Sequence, residues 1–211
     1  MICKMGTIST GNYTIGAAEL YFEASVGNAS LDEGTSNGVG SAFRTAARRF
    51  GNITDIELSP EISYLDHYVI TQTGVKQKDL TVANELSLAI NFSFDEVNST
   101  NLRKFMFGSQ VVDASLASPL TMSPVFTVMS NTLSYGSAQI YFRTGVGRDF
   151  VYLIPKCTIR PDGAMPLTSE DWISAGMVLE VFNYPAWNAV NIATSTASIK
   201  APYGLISMTA I

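Results

Sequence analysis

A chain of 211 residues, 46% of them apolar, is long enough to bury a substantial core in a single domain. Thirteen basic against eighteen acidic residues leave a net charge of −5, the wrong sign for a domain that grips nucleic acid by neutralising phosphates. The charged fraction of 15% falls below the usual quarter or so, which favours a surface partly covered by a partner over a free monomer.

Two cysteines, Cys3 and Cys157, stand far apart, which excludes a disulfide-rich scaffold and a cysteine zinc finger. The opening residues "MICKMGTISTG" contain no apolar core, so no secretory signal is expected, and the expected setting is a reducing cytoplasm or export by a route that needs no signal. No run approaches the roughly 20 apolar residues of a membrane helix.

Taken in chain order, "GAAELYFEA" alternates Ala18, Leu20 and Phe22 with Glu19, Tyr21 and Glu23 and predicts a first strand. Residues 25–42, rich in Gly, Ser and Asn, predict a flexible or partner-ordered loop. The short basic cluster Arg44, Arg48 and Arg49 reads as a solvated or self-pairing patch. In "FGNITDIELSPEISYLDHY", Ile56, Leu58, Ile62 and Tyr64 share one parity, against Asp55, Glu57, Ser59, Glu61 and Ser63. Pro60 falls inside this strand; it cannot donate to a ladder, so it predicts an edge position or a bulge.

"ELSLAINFSF" supplies the partner strand, with Leu86, Leu88, Ile90, Phe92 and Phe94 on its apolar parity. Residues 67–79 between the two predict a long inter-strand loop, able to project on the order of 20 Å at about 3.3 Å per residue. It displays Tyr68, Val69 and Ile70, which a solitary monomer would not expose, and reads either as an arm that docks on a neighbouring subunit, the favoured reading, or as a loop that lies down on its own domain. Asn98 then predicts a helix N-cap, Leu102, Phe105 and Met106 an inward face packed on the apolar parity from Leu86 to Phe94, and Gly108 the left-handed residue at the C-terminus. Further strands are predicted at 124–133, 136–145, 148–163 and 176–187, with a weaker one at 192–204 and a turn at "PDG", residues 161–163. The fold expected is mainly β: one domain over residues 1–211, an antiparallel β-sandwich or incomplete barrel with one short flanking α-helix.

Catalytic chemistry finds little foothold. His67 is the sole histidine, and no nucleophile-elbow motif accompanies it. One histidine and two distant cysteines make a poor metal set. "GVGRD" at 145–149 has neither Walker A nor dinucleotide spacing. Most carboxylates are accounted for as the solvent-facing members of alternating strands. No catalytic residue, cofactor or metal is expected, and an enzyme is the least favoured class.

Three segments in order, "RRFGNITDIELSPEISYLDHY", "TGVKQKDLTVANELSLAINFSFDEVNSTNLRKFMFG" and "VYLIPKCTIRPDGAMPLTSEDW", resemble the tail tube proteins of long-tailed bacteriophages. The matching features are a Phe-Gly-Asn strand entry, a Pro-Glu pair, a Leu-Asp-His-Tyr strand end, a Lys-Asp turn, a long alternating strand ending in Asp-Glu, an Asn-Leu helix and a late Pro-Lys…Arg-Pro-Asp-Gly segment. They cover residues 49–108 and 151–172. The resemblance implies a virion protein, assembled in the host cytoplasm, that forms hexameric rings whose sheets join edge to edge. Stacked rings would make a tube through which DNA passes unread, with tape measure, terminator and baseplate proteins as further partners.

The inter-subunit loop would then use Tyr68, Val69, Ile70, Gln72, Val75 and Lys76. Asp55, Glu57, Glu61, Glu85, Ser87, Asn91 and Ser93 would face the lumen, where an acidic wall lets DNA pass instead of holding it. Two alternatives stand beside this reading: another tail protein on the same fold, such as a terminator or baseplate hub component, and a carbohydrate-binding β-sandwich using Trp172 and Trp187.

Overall fold

The computed structural model describes residues 15–31, 40–109, 126–131, 135–146, 149–167, 173–189 and 199–208. The strands are β1 (Ile15–Glu23), β2 (Ile53–Ile70), β3 (Lys76–Phe94), β4 (Tyr135–Val146), β5 (Phe150–Pro161), β6 (Ala175–Val181), β7 (Asn188–Ala189), β8 (Ile199–Lys200) and β9 (Leu205–Met208), with one helix, α1 (Ser99–Phe105). Among the described residues, seven strands form one antiparallel sheet, six in the order β1-β4-β5-β6-β3-β2 and the seventh, β9, paired with β5 off that path. One edge of β5 is shared, β9 pairing with Phe150–Leu153 and β6 with Cys157–Pro161.

The sheet is not closed, but its two ends are tied at one corner. The Phe22 N–H donates to the Arg48 carbonyl at 2.8 Å and the Phe50 N–H to the Leu20 carbonyl at 2.8 Å. The chain entering β2 is thereby held against β1, so an incomplete barrel is the outcome. β2 is an edge strand, with Pro60 opposite Leu88; the proline sits where a missing donor costs least.

Two apolar clusters hold the sheet. The larger gathers Leu20, Phe22, Phe50, Ile90, Phe92, Phe94, Ile140, Ile154, Met177 and Leu179. The second gathers Tyr21, Leu31, Phe43, Val151, Leu153 and Trp187. β5 runs between them, sending Tyr152 and Ile154 to the first and Val151 and Leu153 to the second. That double burial is why "VYLI" is apolar at every position instead of alternating. Phe50 meets Phe92 and Phe94 edge-on, at centroid distances of 5.3 and 5.8 Å.

Helix α1 begins as expected: the Asn98 side chain accepts from the Asn101 N–H at 2.9 Å. Phe105 is buried in the larger cluster and Met106 packs against it. Leu86, expected beneath the helix, is instead 52% exposed, because it stands on the part of β3 beyond Leu88 that β6 does not flank. The left-handed residue is Phe107, at φ 48°, and not Gly108. Gly108 is needed for a different reason, since a Cβ there would collide with the Thr127 carbonyl.

Other expectations need correction. Residues 126–131, within the stretch expected as a strand at 124–133, form a bend on the helix end instead. Their N–H groups answer carbonyls there, Met129 to Met106 and Asn131 to Phe107, both at 2.9 Å. Of 192–204, Ile199–Lys200 is strand and 190–198 lies outside the described residues; β9, unanticipated, follows. Of the 25–42 loop, 32–39 lies outside the described residues. The described remainder is anchored through buried Leu31, and the Gly27 N–H donates to the Pro155 carbonyl at 2.7 Å.

Phe94→Ala should lower the unfolding free energy by about 3–5 kcal/mol, while Leu65→Ser, at a site 66% exposed, should change it by less than about 1 kcal/mol. Urea unfolding followed by tryptophan fluorescence checks both.

Candidate assembly surface

β3 has β6 as a neighbour only from Leu88 to Phe94. Beyond Leu88, among the described residues, β2 and β3 pair with each other alone, from Pro60↔Leu88 out to Ile70↔Lys76. Ten residues at about 3.3 Å each make a two-stranded ribbon roughly 33 Å long. The loop expected at 67–79 is therefore mostly strand, and the turn is confined to residues 71–75. The Gly74 N–H donates to the Thr71 carbonyl at 2.8 Å, and Gly74 adopts φ 80°. The arm carries no strand period because no burial imposes a one-sided pattern on its residues.

The expected docking residues Tyr68, Val69, Ile70, Gln72, Val75 and Lys76 are all exposed, Ile70 to 78%. They do not form one surface. Tyr68 and Ile70, opposite Lys78 and Lys76, lie on one face of the ribbon, and Val69, opposite Gln77, on the other.

The seven residues expected on a lumen do share a face. Asp55↔Ser93, Glu57↔Asn91, Glu61↔Ser87 and Ser63↔Glu85 stand directly opposite one another, turned away from the side where Phe92 and Ile90 are buried. Farther out, the face changes character. Asn84 has no partner in the register, and past it Leu65↔Val82 and His67↔Leu80 continue the same face. One side of the hairpin is thus acidic near the body and apolar toward the tip.

Leu65, Leu80 and Val82, all more than half exposed, were missed as candidates. A signal existed. The apolar parity of β2 switches between Tyr64 and Leu65, whereas Leu80, Val82, Leu86 and Leu88 keep one parity on β3. A single-residue bulge on β3 is what reconciles the two strands.

Polar contacts hold the arm in register. Lys78 Nζ lies 2.7 Å from Asp66 Oδ1, and Thr81 Oγ1 donates to the same oxygen at 2.8 Å. The Lys78 hydrogen bond, followed by that of Thr81, holds the Asp66 carboxyl below its ordinary value. His67 Nδ1 and Asp79 Oδ1 are 2.7 Å apart, and Lys76 Nζ stands 4.5 Å from the Tyr68 ring centroid. His67 is thus an exposed cross-strand partner.

Among the described residues no three His, Cys, Asp or Glu side chains converge as a metal site would require, and no helix is long and apolar enough to cross a membrane. Trp187 is 5% exposed in the second cluster, which leaves no ring face for a sugar; Trp172 and Cys3 lie outside the described residues. No protein-family model matches the chain, and no curated protein matches it in sequence.

Because the folded-state pKa of Asp66 is depressed, its contribution is present above the ordinary carboxylate value of 3.8 and fades as pH falls through the lower folded value. Carboxyl NMR should find Asp66 titrating below 3.8, and Lys78→Ala should move that titration upward.

Proposed function

We propose that the chain is the subunit of a phage tail tube, a structural virion protein and not an enzyme, which closes into rings that stack around a DNA conduit. One observation carries the reading: a ribbon roughly 33 Å long exposes apolar side chains on both faces, Tyr64, Tyr68 and Ile70 on one and Leu65, Leu80 and Val82 on the other. A two-stranded hairpin alone is marginal in water, and covering each such side chain is worth about 1.5–3 kcal/mol. Docking on a second copy supplies the cover.

Two further features support it. The outer edge of β2 is unpaired along its length among the described residues, and joining sheet edges in a closed ring removes such edges. The acidic face at Asp55, Glu57, Glu61 and Glu85 repels phosphate, as a passage for DNA requires.

Negative-stain images of the purified chain should show stacked rings. Replacing residues 65–82 by Asn-Gly closes the paired residues Tyr64 and Ala83 with a two-residue turn. That variant should keep the circular dichroism of the body and form no tubes. Monomers at high concentration from the intact chain, or tubes from the trimmed one, overturn the proposal; closed rings that never stack favour a terminator. Within tubes, Glu57→Lys with Glu61→Lys should retain short duplex DNA at low salt and release it as salt rises, while the parent retains none.

A further inference from the structure

Helix α1 spans seven residues, Ser99–Phe105, fewer than a helix needs to hold itself in water, so its place on the sheet depends on what it buries. Phe105 enters the larger cluster and Met106 packs against it. Two polar atoms of the same helix go under with them, Asn101 Oδ1 and Lys104 Nζ, and neither has a hydrogen-bond partner among the described residues. Asn101 Nδ2 donates to the Glu96 carbonyl at 3.0 Å, which satisfies the nitrogen of that amide and leaves its oxygen. The Lys104 ammonium rests 4.2 Å from the centroid of the Phe50 ring, out of water. Burying a polar group without a partner is unfavourable, so these two atoms oppose the docking that Phe105 drives.

Backbone strain gathers in the same place. Phe107, at φ 48°, and Met129, at φ 54°, are the non-glycine residues with positive φ among the described residues, and they stand on the two segments that meet at the end of α1. The Met129 N–H donates to the Met106 carbonyl and the Asn131 N–H to that of Phe107, both at 2.9 Å. Asn131 Nδ2 adds a bond to Ser109 Oγ at 3.0 Å, so the bend at 126–131 is fastened to the helix. Before the helix the chain is fixed instead to the entry of β2. The Asn52 side chain donates to the Asp95 carboxylate at 2.9 Å, and the Asp95 N–H to the Asn52 carbonyl at 3.2 Å. Strained residues persist only where their surroundings hold them, and they gather in elements that move.

We propose that α1 and the bend at 126–131 form one flap, hinged at residues 96–98, that lifts from Phe50 and returns Asn101 and Lys104 to water. Lifting widens the cleft of about 460 Å³ that α1 shares with Phe22, Arg48 and Ile159, so the flap is the moving wall of that cleft. The motion is linked to protons. With the flap closed, burial, and after it the charge of Arg103, pulls the Lys104 pKa from 10.5 down to about 8; in water the amine regains its ordinary value. Lifting therefore takes up a proton, is disfavoured as pH rises through about 8, and levels off at lower pH. The charged groups facing α1 across the cleft, Arg48 and Glu23, pair with each other, and the entry of β2 presents the Phe50 ring.

Amide hydrogen exchange of the dilute full-length chain, read by NMR, tests this. The amides of Leu102 and Met106, bonded within the helix, and of Met129 and Asn131, bonded to its end, should share one opening constant, well above that of the β4–β5 ladder. After correction for intrinsic exchange, their protection should rise about tenfold from pH 6 to pH 9. Lys104→Met, which removes the charge and keeps the stem, should raise their protection at pH 6 by at least about tenfold and abolish the pH dependence, leaving the β4–β5 amides unchanged. Helix amides as protected as the ladder, separate opening constants for helix and bend, or a protection independent of pH in the parent each overturn the proposal. Exchange is read on the dilute chain, so its outcome is distinct from a failure to form tubes.

Discussion

The pairing of β2 with β3 is the constraint on which the rest of the molecule depends. Its inner third is fixed by burial: Phe92 and Phe94 wedge against Phe50, and β6 covers the second edge of β3. From that clamp the same ladder runs outward with no further strand beside it among the described residues. Because the inner register is set by a buried face, a one-residue slip would carry Phe92 and Phe94 to the opposite side. The arm inherits a register it could not specify alone.

Irregularities in that ladder give the arm its two-sided character. The unpaired Asn84 lets the acidic face near the body turn apolar toward the tip without any break in β2. A second unpaired residue, Asp79, carries the carboxylate that meets His67. Bulges of this kind re-aim side chains and increase local twist. Here they divide one hairpin into a polar stave and a docking ribbon, chemically distinct surfaces that adjoin on a single pair of strands.

The body does more than hold the arm. β5 lies between two apolar clusters, and the chain entering β2 is hydrogen-bonded to β1, so the sheet curls toward a barrel and leaves β2 as an open edge. Helix α1 plugs one end through Phe105. It also brings the Lys104 ammonium over the Phe50 ring and out of water, so the packing that stabilises the core creates the buried amine.

The mainly antiparallel architecture, β1 to β6, the edge placement of Pro60 and the Asn98 cap were legible in the amino-acid order, because alternation and capping are local properties. So was the segregation of Asp55, Glu57, Glu61, Glu85, Ser87, Asn91 and Ser93 onto one side, since strand period alone puts them there. The arm at 67–79 was not, because strands exposed on both faces have no period to read. Nor was the bulge at Asn84, which exists only as a relation between two strands and therefore appears in neither one alone. Lys104 reads as an ordinary surface lysine on a short helix; only the docking of that helix against Phe50 takes its ammonium out of water. Sequence determined which segments would be strands and which sides would be polar. Tertiary structure decided which strands stop being covered and which charge is left without water, because both depend on what lies across from a residue and not beside it in the chain.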